Sequence, residues 1–323
     1  MSAACGARNP VKLTLILKGN ITRRGHFEKS LATLRNALPG AYISLLETRR
    51  AGQAVELAAR ACVESDYLIA VGGDGTVNEV VNGCLRAQEQ SPAITLPALG
   101  ILAYGSANDL ARSLGLRGEV GELIHLLLSQ STARIDAGRL YYTDADGTQA
   151  QRYFLNAADI GVGARTVEYL NRRPRLLGSN LHYLRSVLST LATYRPQEVH
   201  AVSDHGLDWC GKSLAVVAAN GRYLGSGLCV APGARLDDGL LAITLVGEAD
   251  AADFLRNLGY LRRGELLNHP AAHYHHAARL EIEHGGQPVP VEVDGEFLGH
   301  TPACVEVIPA AVEILHPGLE ASA

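Results

Sequence analysis

The chain has 323 residues, enough for two domains that each bury a core. Hydrophobic residues make up 47% and charged residues 19%, which excludes a disordered chain. The formal net charge of −4 removes the electrostatic case for a nucleic-acid partner.

The apolar run from Val11 to Leu17 contains Lys12 and is followed by no small-residue cleavage site. It reads as a first strand and not as a signal peptide. No window approaches the roughly 18 consecutive apolar residues that span a bilayer, so any membrane contact is expected at the surface. The six cysteines are scattered, with no C-x-x-C pair. They read as reduced thiols of a cytoplasmic protein.

From the first strand to about residue 135, strands and helices alternate. "VKLTLIL", "AYISLLE", "DYLIAV" and "LPALGIL" predict strands. Helices are expected over Phe27 to Leu38, Gln53 to Val63, Thr76 to Leu85, Asp109 to Leu114 and Val120 to Leu128. Short apolar strands joined by helices imply a mainly parallel sheet covered on both faces. Ligands of such sheets sit beyond the carboxyl ends of the strands. Beyond "ARIDAGRL" the chain turns strand-rich, in "RYFLNAADI", "SLAVVAAN", "LLAITLV", "RLEIEH", "VPVEVDG" and "CVEVIPA". An antiparallel sandwich or barrel is expected there, interrupted by helices near Leu181 to Thr193 and Ala249 to Arg262. The reading is an α/β domain over 1–135 and a β-rich domain over 136–323, with the last segment able to pack back on the first.

The stretch "VGGDGTVNEVVNG", Val71 to Gly83, stands at a strand-to-helix turn. Glycines there admit an oxygen-rich ligand close to the backbone, and the helix start offers free N–H groups and a positive dipole end. It is not the dinucleotide fingerprint, whose last glycine would fall at Asn78, and no G-K-[ST] makes it a Walker loop. "TVNE", Thr76 to Glu79, fits a capping box. Asp74 puts a carboxylate among the glycines, where phosphate would repel it. Mg²⁺, which binds carboxylates together with phosphate oxygens, resolves that conflict.

"GGDGTVNEVVNG" resembles the diacylglycerol kinase catalytic domain, a superfamily shared with sphingosine kinases and more distantly NAD kinases. "ETRRAGQAVELA", "LGILAYGSANDLARSLGL", "APGARLDDGLLAITL" and "VEVDGEFLGHTP" resemble further motifs of that family, in its order. With the "LKGN" turn, the nearest group is the bacterial YegS-like lipid kinases. The resemblance implies an ATP- and Mg²⁺-dependent kinase acting on a hydroxyl of a membrane lipid. It would work at the inner face of the membrane, and a homodimer is left open.

By position, the resemblance puts ATP on Thr48, on Gly73, Asp74, Gly75, Thr76, Val77, Asn78 and Glu79, and on Ser106. Ser106 replaces the family's usual threonine, and "AY" before it replaces Pro-Leu. Asn108 and Asp109 are kept, and Asp109 also suits a helix cap. A metal site is implied on Asp238 with the backbone oxygens of Arg235 and Leu240. Glu296 is implied as the base that accepts the proton of the lipid hydroxyl.

Two surface features stand outside these motifs. His269, His273, His275 and His276 fall in "NHPAAHYHH", where Pro270 interrupts any helix, and an exposed loop is expected. Arg172, Arg173 and Arg175 beside Leu176 and Leu177 suit either a solvated loop or anionic headgroups. An NAD kinase-like enzyme and a non-catalytic lipid-binding protein of the same fold are the alternatives.

Overall fold

The computed structural model describes residues 10–171, 179–267 and 269–319. The first half runs β1 (Lys12–Leu17), α1 (Arg24–Ala37), β2 (Tyr42–Glu47), α2 (Gln53–Ala61), β3 (Tyr67–Gly72), α3 (Asp74–Gln90), β4 (Ala98–Ala103), α4 (Asp109–Ser113) and α5 (Val120–Ser129). Its strands pair in parallel in the order β4, β3, β1, β2. β1 and β3 are each buried at five of six positions, as continuous apolar strands between two helical layers must be. Phe27, Leu31 and Leu34 of α1 pack with Leu123, Leu126 and Leu127 of α5 on one face. On the other, Ala54, Ala58 and Ala61 of α2 meet Val77, Val80, Val81 and Cys84 of α3. Each large side chain so buried contributes roughly 1.5–3 kcal/mol.

The second half contains β5 (Thr132–Asp144), β6 (Gln149–Phe154), β7 (Ala157–Gly161), α6 (Val162–Asn171), α7 (Ser179–Thr193), β8 (Gln197–Ser203), β9 (Asp208–Ser213) and β10 (Ala215–Ala219). There follow β11 (Tyr223–Leu224), β12 (Leu228–Cys229), β13 (Leu241–Val246), α8 (Ala251–Arg263), β14 (Ala272–Ala277), β15 (Arg279–His284), β16 (Pro290–Val293) and β17 (Glu296–Leu315). The pairings here are antiparallel, as expected, and enclose a core around Phe154, Val216, Ile243 and Val291. α8 is entered through a capping box between Asp250 and Asp253.

Among the described residues the two halves share one sheet of 15 strands, and β17 joins them. Twenty residues long, β17 pairs with β16, β15 and β5, then runs parallel to β4 where Ile314 meets Leu99. Register breaks between His300 and Cys304 and between Ile308 and Val312 let one strand follow both sheets.

Two segments differ from the sequence reading. "RYFLNAADI" is two strands, β6 and β7, with a corner at Leu155 and Asn156. The histidine segment is not a loop over its length: Ala272–Ala277 forms β14, paired with β13, with His273, His275 and His276 exposed. Backbone pairing to β13 overrides the weak strand signal of alternating histidines. The arginine cluster at Arg172, Arg173 and Arg175 lies outside the described residues.

Gly138 of β5 faces Phe154 of β6, and a Cβ there would stand 2.0 Å from Cζ of that fully buried ring. Gly138→Ala is therefore expected to lower unfolding free energy by about 1–3 kcal/mol through overpacking. Denaturant melts of the variant and the parent at one protein concentration measure it.

Candidate active site

β3 ends at Gly72, Gly73 is the extended N-cap residue, and α3 begins at Asp74. The amides of Thr76 and Val77 donate to Gly73 O at 2.9 and 3.2 Å. A Cβ on Gly105 would stand 2.4 Å from Gly73 Cα, so the two loops cross in backbone contact. Asn108 holds the second loop: its Oδ1 accepts from Gly105 N and its Nδ2 donates to Gly105 O, both at 3.1 Å. It sits in the left-handed region at φ 54°, which asparagine tolerates better than most residues.

The glycine turn opens onto a cleft of about 600 Å³ at the carboxyl ends of β1, β2 and β3. Thr48, Gly75, Thr76, Glu79 and Glu296 line it, so five of the sequence-selected residues converge there. Lys18, Arg49 and Arg50 line it as well, which the sequence reading did not select. The lysine missing from the glycine turn thus arrives from the "LKGN" turn after β1, where Gly19 N donates to Thr48 Oγ1 at 3.1 Å. A lysine after the first strand of a parallel sheet was the available signal, because neighbouring strand ends meet at one edge.

The expected capping box is absent. Helix α3 starts two residues before Thr76, and Glu79 caps a different helix. Its Oε1 and Oε2 accept from Gly52 N and Ala54 N, each at 3.0 Å, at the start of α2. Val77 is packed in the core, and Asn78 is buried facing the second half, so neither side chain lines the cleft. Asn78 Nδ2 donates to Tyr153 O and Asp294 Oδ2, and its Oδ1 accepts from Arg152 Nε. Ser106 is exposed on the loop after β4, outside the residues that line the cleft.

Asp74 Oδ1 accepts from Leu110 N at 3.1 Å, standing over the first turn of α4. Burial raises its carboxyl, while the amides at that helix start oppose the rise. Asp109 is no helix cap: its oxygens accept from Ser226 N at 2.9 Å and Gly227 N at 2.8 Å, tying α4 to the second half. Burial first, then the Asp74 charge, push Asp109 up to about 6.

Glu296 opens β17 directly after the Asp294–Gly295 turn, whose residues have φ of 48° and 83°. Its Oε1 lies 3.3 Å from the point where a Gly75 Cβ would stand, and its Oε2 accepts from Arg152 Nη2 at 2.8 Å. Burial raises the Glu296 carboxyl, opposed by the Arg152 guanidinium. Asp294 is the anchor. Its carboxylate accepts from the amides of Leu155, Asn156 and Ala157 and from Asn78 Nδ2, within 2.8–3.3 Å. Burial pushes it up to about 6.

Asp238 forms a local turn, accepting from Leu240 N at 3.0 Å, while Arg235 pairs with Asp237 at 3.3 Å. Beside it, buried Asp136 accepts from Gly239 N and Ala310 N, each at 2.7 Å. Burial raises Asp238, and the Asp136 charge adds to that. Asp238 on a loop that also offers carbonyl oxygens, with Asp136 of β5 beside it, is a donor set that fits a hard divalent cation. Among the described residues, no three His, Cys, Asp or Glu side chains converge on a metal position.

A second cavity, of about 210 Å³, opens among α6, α7, α8 and the β7–β10–β13 sheet. Val187, Leu191, Leu214, Val230, Phe254 and Leu261 line it, and it reaches Gly295, the neighbour of Glu296. Among the described residues no helix is long and apolar enough to cross a membrane.

A parallel sheet carrying a glycine turn and cations at its carboxyl edge, closed by a carboxylate from a β-rich second half, makes a two-part cleft. Residues 15–140 match the diacylglycerol kinase catalytic domain, and residues 156–316 match the YegS C-terminal NAD kinase beta sandwich-like domain. The chain is 30% identical over 312 residues to a Chromohalobacter salexigens protein named "Probable lipid kinase YegS-like", covering 94% of this chain and 92% of that one. It is 29% identical over 297 residues to the diacylglycerol kinase of Bacillus subtilis, covering 90% and 92%. A crystal structure of a Bacillus anthracis protein assigned as a diacylglycerol kinase superposes with TM-score 0.72 at 25% identity, over 94% and 96% of the two chains. Yeast NADH kinase, at TM-score 0.54 and 12% identity, shares the fold alone. The chain belongs to the diacylglycerol kinase family and within it to the YegS-like lipid kinases, enzymes of the transferase class.

Glu79→Ala is expected to cost about 1 kcal/mol of stability by uncapping α2. Because Thr48 and Arg49 precede that helix start, KM for the nucleotide should rise more than kcat falls. Melts and initial-rate kinetics on the same preparation test both parts.

Proposed function

We propose that the protein transfers the γ-phosphoryl group of ATP to a hydroxyl of a membrane lipid at the inner membrane surface, with Glu296 as general base. One observation carries this reading: Glu296 lines the polar cleft while its neighbour Gly295 lines the apolar cavity, so the carboxylate stands at the seam of the two. An acyl chain in the cavity would present its head to Glu296 from one side, and a nucleotide would approach from the other.

In this reading the phosphates lie on the Gly73–Thr76 turn, with Thr48 beside them and Lys18, Arg49 and Arg50 supplying positive charge, while the Ser106 loop meets the turn through Gly105. The lipid oxygen attacks the γ-phosphorus, its bond to the β-bridging oxygen breaks, ADP leaves, and the hydroxyl proton passes to Glu296. Phosphoryl transfer asks mainly for alignment and charge neutralisation, and the helix start of α3 provides part of both. Mg²⁺, when bound, neutralises phosphate charge. Asp238, with carbonyls of Arg235 and Leu240, is the donor set for a cation in the second half, and Asp74 is the acid nearest the glycine turn.

The base works ionised, so activity is present above its pKa and is lost as pH falls through it. Burial raises the Glu296 carboxyl, which places the acid limb of kcat/KM above the ordinary value of 4.5. Arg152 opposes that rise, so Arg152→Met should move the limb to still higher pH. Glu296→Gln should lower kcat by about 10²- to 10⁴-fold with an unchanged melt. Transfer of labelled phosphate from ATP to a total lipid extract, with identification of the product, is the direct assay. Full turnover in Glu296→Gln would remove the base assignment, and an absence of any labelled lipid would remove the proposed reaction.

A further inference from the structure

Glu292 and Asp159 face each other directly across the β16–β7 pair, and both side chains line the apolar cavity. Asp159 is 5% exposed and Glu292 2%, and among the described residues no cation pairs with either. Glu292 Oε2 accepts from Gly295 N at 2.7 Å, so the pair sits one turn from Glu296. Asp159 Oδ2 is tucked under the start of α6, where a Cβ on Gly163 would lie 2.3 Å from it. Asp159 Oδ1 is buried with no hydrogen-bond partner, as is the hydroxyl of Tyr194 nearby. Asp250, Asp253, His269 and Tyr274 complete the titratable groups that line the cavity.

Burial raises both carboxyls, and the Asp159 charge raises Glu292 further. The amides of Gly163 and Ala164 favour the charged form of Asp159, and that of Gly295 favours the charged form of Glu292. Because Oδ2 lies against the start of α6, the unpartnered Oδ1 is the acceptor that awaits a donor. A buried acceptor left unpaired is costly, so the cavity favours an occupant that brings a donor to that point.

We propose that the Asp159–Glu292 pair recognises a hydrogen-bond donor on the acceptor lipid, a second hydroxyl or an amine adjacent to the hydroxyl that is phosphorylated. This rests on the lipid kinase reading and narrows its substrate: monoacylglycerol-type and amino-alcohol lipids fit the pair. Diacylglycerol does not, because the oxygens next to its hydroxyl are esters, which only accept.

The test uses the purified full chain with ATP and Mg²⁺ and a minimal pair of acceptors, monooctanoylglycerol and hydroxypropyl octanoate, which differ by the adjacent hydroxyl. Dioctanoylglycerol and sphinganine are the further arms, and the last separates an amine from a hydroxyl as the preferred donor. A site built around a donor rejects the analogue that lacks it, so kcat/KM should favour monooctanoylglycerol over hydroxypropyl octanoate by about tenfold or more. Asp159→Asn keeps the side-chain size but offers an N–H donor, so that preference should collapse and dioctanoylglycerol should gain, with KM for ATP unchanged. Equal use of the minimal pair by the parent enzyme would overturn the proposal, as would an equal loss on every lipid in Asp159→Asn. If no lipid is phosphorylated the kinase reading falls, and calorimetric titration of the same pair decides the recognition site. Binding that favours monooctanoylglycerol and depends on Asp159 upholds it, and equal binding overturns it.

Discussion

The buried carboxylate of Asp294 accepts hydrogen bonds from three consecutive amides at the β6–β7 corner and from Asn78 of α3. Those four donors hold a two-residue turn with positive φ at both positions against an interface between the two halves of the chain. Three of the residues at the seam of cleft and cavity are positioned from that turn. Glu292 precedes it, Gly295 forms it, and Glu296 leaves it directly over Gly75. An aspartate can satisfy several donors while tolerating a left-handed backbone, which explains an acid on a half-buried turn that has no partner cation among the described residues.

The same interface is held by polar groups on the first half. Asn78 and Asn82 both reach Tyr153 O, and Arg152 returns to Asn78 Oδ1 before pairing with Glu296. Asp109 closes the other side through the amides of Ser226 and Gly227. Such networks matter because a partly satisfied buried group is costly, so the two halves have few alternative arrangements. Strand β17 adds a covalent constraint, since it contributes to both parts of the sheet before it ends beside β4.

Charge is distributed by depth. The cleft edge carries Lys18, Arg49 and Arg50, suited to phosphate, whereas the deep positions carry acids held by backbone amides. The apolar cavity meets the polar cleft at Gly295 and Glu296. A carboxylate at such a boundary is raised by burial and restrained by Arg152, a balance that suits a proton acceptor.

The alternation of strands and helices, the parallel first half and the antiparallel second half were legible because hydrophobic periodicity is a local property. The glycine turn and Glu296 were legible as motifs, and the turn's place at a strand end followed from the order of elements. What could not be read was which donors each polar side chain meets. "TVNE" has the spacing of a capping box, yet Glu79 caps α2, because α3 begins earlier and α2 lies against it. Asn78 looked like part of a nucleotide loop and is an interface residue. Lys18 and Glu292 stood inside quoted motifs with no role assigned to them, and Asp159 in a plain strand; only pairing between strands distant in sequence sets Asp159 against Glu292 at the cavity and brings Lys18 to the cleft. The sequence by itself determined the elements and the motifs of the family, since those depend on neighbours along the chain. The tertiary structure alone decided how charges and cavities meet, since hydrogen bonds and burial act between neighbours in space.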